Sequence, residues 1–227
     1  MRKFIVLDGL DASGKETQTE YLRQAYEQRG KRVRVLSYPR YGTVGAAPVE
    51  MYLRGQLGAH PEDTGAYAAS VLFAVDRYMS YRTEWENDRE SDVILANRYT
   101  TANAVHQLSK LPRSEWDAFL SWLWDFEYRK LGLPTPDHIL YLEMRPDLSR
   151  RLLEKRASET GWTIDIHEAD AAYLDRCWEA ALYAADRLKW TVISCYEGDT
   201  VLAREQIHAR IRAALDGERN DEQAEKT

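Results

Sequence analysis

The sequence predicts an α/β fold: a five-stranded parallel sheet between helical layers, three layers in all. Three observations predict it. Short β-branched runs recur along the chain, segments with helically spaced apolar residues separate them, and the first run passes through a Gly-rich turn straight into a helical segment. Alternating strands and helices require crossover connections, which make neighbouring strands parallel and bury both faces of the sheet.

In chain order, "KFIVLD" (3–8) is the first buried strand, ending in the Gly-rich turn. Its apolar run stops at Asp8, too short for the hydrophobic region of a signal peptide. Residues 15–29 have helical composition and close at Gly30, and "RVRVLSY" (32–38) alternates as a second strand that stops at Pro39. Residues 62–88 read as a helix with Val71, Leu72, Val75 and Tyr78 on one face. "DVILAN" (92–97) is the third strand, "HILYLEM" (138–144) the fourth and "TVISC" (191–195) the fifth. Within 114–130, Trp116, Phe119, Leu120 and Leu123 share a helical stripe, while Trp122 and Trp124 lie elsewhere on the wheel. Those extra aromatics fit either exposed positions of a core helix or a subunit interface. Residues 1–216 read as one domain, and the charged "GERNDEQAEKT" from Gly217 lacks apolar anchors and reads as a disordered tail.

Composition narrows the function. The chain has 227 residues, 44% of them hydrophobic and 30% charged, enough for one full core. A net charge of -6 argues against a protein that coats nucleic acid. Cys177 and Cys195 are too few for a disulfide framework and lack metal-ligand spacing, so reduced cytosolic thiols are expected. No stretch approaches the length of a membrane span, and a cytoplasmic enzyme is the default.

The chemistry begins in "LDGLDASGKETQTEYL" (7–22), where Gly9, Gly14 and Lys15 have the spacing of a phosphate-binding loop, G-x-x-x-x-G-K. Such a loop surrounds phosphate oxygens with backbone N–H groups, backed by a helix N-terminus and a lysine that reaches the outer phosphates. Strand before and helix after supply the required context. The pattern expects a Ser or Thr hydroxyl for magnesium after the lysine, and here stands Glu16. Its carboxylate is an acceptable magnesium ligand, or it points outward on the first helical turn, leaving Thr17 to supply a hydroxyl.

Further motifs join the loop: "YPRYG" (38–42), "LFAVDRY" (72–78), "ANRYTTANAVHQ" (96–107) and "LGLPTPDHILYLE" (131–143). Together with "GLDASGKETQ" they resemble the thymidylate kinase family of P-loop enzymes, from about residue 3 to 215. The resemblance implies ATP-dependent phosphorylation of dTMP to dTDP on the route to dTTP, with magnesium, and a homodimer. It places the ATP phosphates on Gly9, Leu10, Asp11, Ala12, Ser13, Gly14, Lys15, Glu16 and Thr17. It places Asp11 near the sugar and phosphate of the monophosphate, Phe73 on the thymine ring, and Arg77 at a base carbonyl. Arg98 would grip the transferring phosphate with Arg40 beside the acceptor, Asn103 would meet the base edge, and Tyr99 and His106 would shape the sugar pocket. "KRASETGWTIDIHE" (155–168) matches the family's lid, with Lys155 and the catalytic candidate Arg156 as cationic fingers and Glu168 near the acceptor phosphate.

Arg98 has support outside the resemblance, because open sheets bind ligands at the carboxyl ends of their strands. The acceptor has support as well. A kinase acting on a hydroxyl benefits from a carboxylate just after the second strand, and here "SYPRYG" offers Arg40 and no acid before Glu50. A phosphate acceptor needs no base, since its second pKa is about 6, but it needs cations. The family's D-R-Y appears as Asn97-Arg98-Tyr99, which removes an acid and shifts the expected metal ligands to Asp8, Asp11 and Glu168. Two other readings stay open: a related kinase for another pyrimidine monophosphate, and a nucleotide-binding module without turnover.

Overall fold

The structure is a computed structural model that describes residues 2–160 and 171–224, except the side chains at 155–157, 159–160, 171 and 218–224. Among the described residues five parallel strands form one sheet in the order β2-β3-β1-β4-β5: β1 (Lys3–Gly9), β2 (Val33–Ser37), β3 (Val93–Asn97), β4 (His138–Glu143) and β5 (Thr191–Ser194). β1 lies at the centre, with Leu7 opposite Asn97 on one side and Gly9 opposite Leu142 on the other. The strands alternate their apolar residues between two cores, as a pleat of period two requires. Ile5 and Leu7 meet Leu95, Leu142 and Ile193 on one face, while Phe4 and Val6 meet Ile94, Trp85 and Tyr99 on the other.

The first face is covered by α1 (Lys15–Glu27) and α8 (Arg204–Ala224), through Leu22, Ile207 and Ile211. α1 ends where the sequence expects, with Gly30 at φ 72° and the Gly30 and Lys31 amides donating back to Glu27 and Tyr26. The backbone of α8 continues past Gly217, into the segment read as a disordered tail. α2 (Ala47–Leu53) and α4 (Thr101–His106) frame the cavity described below, while α6 (Pro146–Thr160) follows β4 and α7 (Ala171–Leu188) precedes β5. A small antiparallel hairpin, β6 (Tyr196–Glu197) with β7 (Thr200–Val201), was not anticipated.

Two helical readings meet different fates. The stripe of Trp116, Phe119, Leu120 and Leu123 is buried as expected, on α5 (Trp116–Trp124), which continues as a π-helical turn over Asp125–Lys130. The helix read over 62–88 is divided. A 3₁₀ turn at Pro61–Asp63 precedes α3 (Ala66–Ser80), and a π-helical turn at Tyr81–Trp85 follows it. α3 also presents the opposite face from the one its hydrophobicity suggests. It buries Ala66, Ala69, Ser70, Ala74, Asp76, Arg77 and Ser80, whereas Tyr67, Val71, Val75 and Tyr78 are each 37–40% exposed. On that inward face Ala66 and Ala69 pack into apolar cores, while Asp76 and Arg77 meet ion partners in Arg40 and Glu127.

Phe119 packs edge-on to Tyr67 and tilted to Trp122, fully buried. Phe119→Ala is expected to lower unfolding free energy by about 3–5 kcal/mol, which a urea titration measures.

Candidate active site

At the carboxyl edge of the sheet the phosphate loop connects β1 to α1, and its glycines have separate reasons. A Cβ on Gly9 would lie 2.5 Å from the Leu142 carbonyl oxygen and 2.6 Å from Ser13 Oγ, so only glycine permits β1 and β4 to approach there. Gly14 caps α1 at φ 88°, a left-handed conformation that glycine adopts without strain. Ser149 on α6 donates to the Asp11 carbonyl at 2.6 Å and ties the loop to the far wall.

Lys15 folds over this loop, donating to the Gly9 and Leu10 carbonyls at 2.9 and 2.8 Å, with Asp11 Oδ1 at 3.7 Å. Burial and the neighbouring Arg98 charge lower its pKa from 10.5 to about 8, only partly offset by Asp11. Asp11 shows the reverse balance. Burial opposes its ionisation, but Arg98 and Lys15 together hold its carboxyl well below the usual range.

Arg98 follows β3 directly, at φ 65°, with its amide donating to the Leu7 carbonyl at 2.9 Å. A left-handed arginine is uncommon, and such backbone strain concentrates at functional positions. The turn aims the guanidinium across the sheet edge, where Nη2 donates to Asp11 Oδ1 and Nη1 lies 3.0 Å from His106 Nε2. Because a guanidinium only donates, Nε2 is the acceptor and the imidazole proton sits on Nδ1, 3.6 Å from Cys177 Sγ.

These groups open on a cavity of about 550 Å³, which Asp11–Thr17 border at one side and Phe73, Arg77, Asn103 and His106 at the other. Phe73 meets the Tyr52 ring edge-on at 6.0 Å. Arg77 is buried against Glu127, giving Nε and Nη2 to its two carboxylate oxygens at 2.7 and 2.5 Å. Burial works against that charge, but Glu127 outweighs it and holds Arg77 above the ordinary arginine range. Glu16 is exposed and Thr17 half-buried at the cavity's edge. The Asn97 Oδ1 and Ser13 Oγ atoms are buried without a hydrogen-bond partner among the described residues, and both residues border the cavity.

The structure therefore gathers Asp11, Ala12, Ser13, Gly14, Lys15, Glu16, Thr17, Phe73, Arg77, Arg98, Asn103 and His106 around one space. Gly9 and Leu10 take part through the carbonyls that hold Lys15, the Leu10 side chain lying in the core. Three expectations change. Tyr99 does not reach the sugar side: successive residues diverge, and its ring is buried against Phe4 and Trp85 with its hydroxyl on the Pro134 carbonyl. Asp8 does not border the cavity either, because Thr101 Oγ1 and the Gly9 amide occupy its two oxygens. Arg40 turns from the cavity toward Asp76, at 3.2 Å, and Glu84. Glu168 and the side chains of Lys155 and Arg156 lie outside the described residues.

Sequence reasoning missed Glu127 and Gln107. Glu127 carried a signal, since it lies four residues beyond Leu123 and so on the buried stripe of α5, where an acid calls for a partner. Gln107 is fully buried with both ends of its amide unpartnered among the described residues, and it also borders the cavity. The wall formed by Met144, Leu152, Leu202, Arg204 and Ile207 had no motif to mark it.

The model of the family described as thymidylate kinase matches residues 7–197. Thymidylate kinase of Mycobacterium tuberculosis is 32% identical over 182 residues, covering 79% of this chain and 83% of that protein. A probable thymidylate kinase of Methanosphaera stadtmanae is 28% identical over 153 residues, 67% of this chain and 72% of the relative. Among solved structures, thymidylate kinase from Candida albicans aligns over 96% of this chain and 93% of its own, with a TM-score of 0.66 at 16% identity, a likeness of fold.

The Lys15 environment has a measurable sign. Its ammonium is charged below a pH of about 8 and loses its proton as pH rises past that value. Affinity for a non-hydrolysable ATP analogue is expected to fall through pH 8 in the wild type, with no such limb in Lys15→Met, as read by calorimetry across that range. An anion beside the ammonium favours its charged form, so the limb of the bound complex is expected at higher pH.

Proposed function

The chain belongs to the thymidylate kinase family, and we propose on that ground and on the geometry of its cleft that it transfers the γ-phosphoryl group of ATP to dTMP, giving dTDP and ADP. The observation that carries the reading is Arg98. It is held in a strained backbone conformation at the end of β3 and bridges the phosphate loop, through Asp11, to the His106 side of the cavity. A cation at that junction lies where a donor phosphate on the loop and an acceptor phosphate would meet.

In this reading the loop amides and Lys15 receive the ATP phosphates, and Arg204, Ile207 and Leu202 flank the purine end. Phe73 stacks on the pyrimidine, with Arg77 and Asn103 at its edge. The acceptor phosphate is mostly ionised at neutral pH, so the chemistry asks for alignment and charge neutralisation rather than a general base. Arg98 supplies both, sharing its charge between the two anions as the γ-phosphoryl passes in line. Arg40 serves this site by holding Asp76 beside the acceptor side of α3.

Magnesium belongs to the proposal, and the donors present fit it. They are oxygens, as a hard cation requires, and the orphaned Asn97 Oδ1 stands ready to accept from a metal-bound water. Glu16 and Thr17 border the same space, while Asp8 is committed to Thr101 and Gly9 and Asp11 Oδ1 to Arg98. Magnesium held there would supply charge neutralisation to the phosphate oxygens.

No helix among the described residues is long and apolar enough to cross a membrane, which fits the cytoplasmic enzyme in this reading. A second copy of the chain is proposed for the exposed face of α3. Tyr67, Val71, Val75 and Tyr78 form an exposed apolar row, and Trp122 extends it by packing on Tyr67 at 4.6 Å. Light scattering is expected to give a dimer mass for the wild type and a monomer mass for Val71→Asp/Val75→Asp; an unchanged mass removes this interface.

A coupled ADP-release assay with dTMP, dUMP, dCMP and dGMP tests the activity. dTMP is expected to turn over fastest, and no turnover above the other nucleotides sinks the reading. Arg98→Ala is expected to lower kcat by about 10²–10³-fold, with near-normal activity excluding Arg98 from the mechanism.

A further inference from the structure

Behind Arg77 lies a group that the motifs do not point to. Glu127, on the π-helical turn after α5, is fully buried and accepts four hydrogen bonds. Oε2 takes Arg77 Nε at 2.7 Å and Thr100 Oγ1 at 3.0 Å, while Oε1 takes Arg77 Nη2 at 2.5 Å and Asn103 Nδ2 at 2.9 Å. The other hydrogen of Asn103 Nδ2 goes to the Ser70 carbonyl at 3.2 Å.

We propose that Glu127 is a positioning residue for base selection: it fixes the Arg77 guanidinium and the orientation of the Asn103 amide, so that the pair accepts a 4-oxo, 3-NH pyrimidine and rejects a 4-amino one. This rests on the dTMP reading and specifies how the base is chosen. An asparagine amide alone discriminates poorly, because a half-turn exchanges its donor and acceptor ends. Here the half-turn is blocked. Both partners of Nδ2, a carboxylate and a carbonyl, only accept, so turning Oδ1 toward them would set acceptor against acceptor in a buried site. Oδ1 is thereby left as an acceptor, and among the described residues it receives no hydrogen bond. Arg77 is constrained in the same way. Nε and Nη2 are committed to Glu127, and Nη1 remains, a group that only donates.

A fixed acceptor beside a fixed donor complements an N3–H next to a carbonyl, as in thymine and uracil. Cytosine presents a bare N3 and an amino group, reversing both polarities. The carboxylate therefore chooses the base without touching it. It also compensates the buried Arg77 charge, which would be costly alone.

The test uses calorimetric binding of dTMP and dCMP to the full chain, which does not require turnover. In Glu127→Gln the new amide can donate toward Asn103, freeing the half-turn. The preference for dTMP over dCMP is expected to fall about 10- to 100-fold, the worth of 1–3 kcal/mol of polar mismatch, while affinity for an ATP analogue stays unchanged. Thr100→Val removes one of the four donors and keeps the charge, so it is expected to fold and to lower the same ratio several-fold. It decides the matter if Glu127→Gln is unfolded, and an unchanged ratio in a folded variant overturns the proposal. A wild type that does not prefer dTMP over dCMP overturns it too. A wild type that binds dTMP selectively but transfers nothing overturns the kinase reading and leaves this one standing.

Discussion

The close approach of Gly9 to the Leu142 carbonyl is the contact on which the site depends. It sets the first turn of the phosphate loop flush against β4. With β1 central in the sheet, the loop then emerges between the ends of β3 and β4, so a single left-handed residue after β3 brings Arg98 to Asp11. A side chain at position 9 would push the strands apart and separate these groups together. The glycine acts through close packing, whereas Gly14 has open space around it and acts through its left-handed φ.

Three arginines in or beside the cleft already hold carboxylates: Arg98 with Asp11, Arg77 with Glu127, Arg40 with Asp76 and Glu84. Such pairs solve a folding problem before they serve a ligand, since an isolated buried charge is more expensive than a satisfied one. They also fix direction. A guanidinium clamped by two of its nitrogens has few ways to present the rest, and precise placement is what transfer between two anions demands.

How far the residues announced all this varies with the physics involved. The sheet was readable because buried parallel strands must be apolar throughout, and the phosphate loop because its glycines answer to geometry that few other sequences satisfy. Tyr99 and Asp8 were misplaced because adjacency in a motif says nothing about which side of the chain a residue faces. α3 shows the same limit in reverse: its stripe of Val71, Val75 and Tyr78 has helical spacing, yet periodicity cannot tell a core face from an exposed one. Glu127 needed the converse habit, attention to an acid on an apolar stripe. Gln107, a lone amide without a pattern, became noticeable only when the cavity was seen around it.

The self-paired arginines have a consequence for how nucleotides arrive. Salt-bridged cations project little field beyond a Debye length, and the chain as a whole carries a charge of -6. The net charge of the chain therefore offers an approaching polyanion no long-range attraction. Recognition is deferred until the last few ångströms, where loop amides and clamped guanidinium groups act by contact.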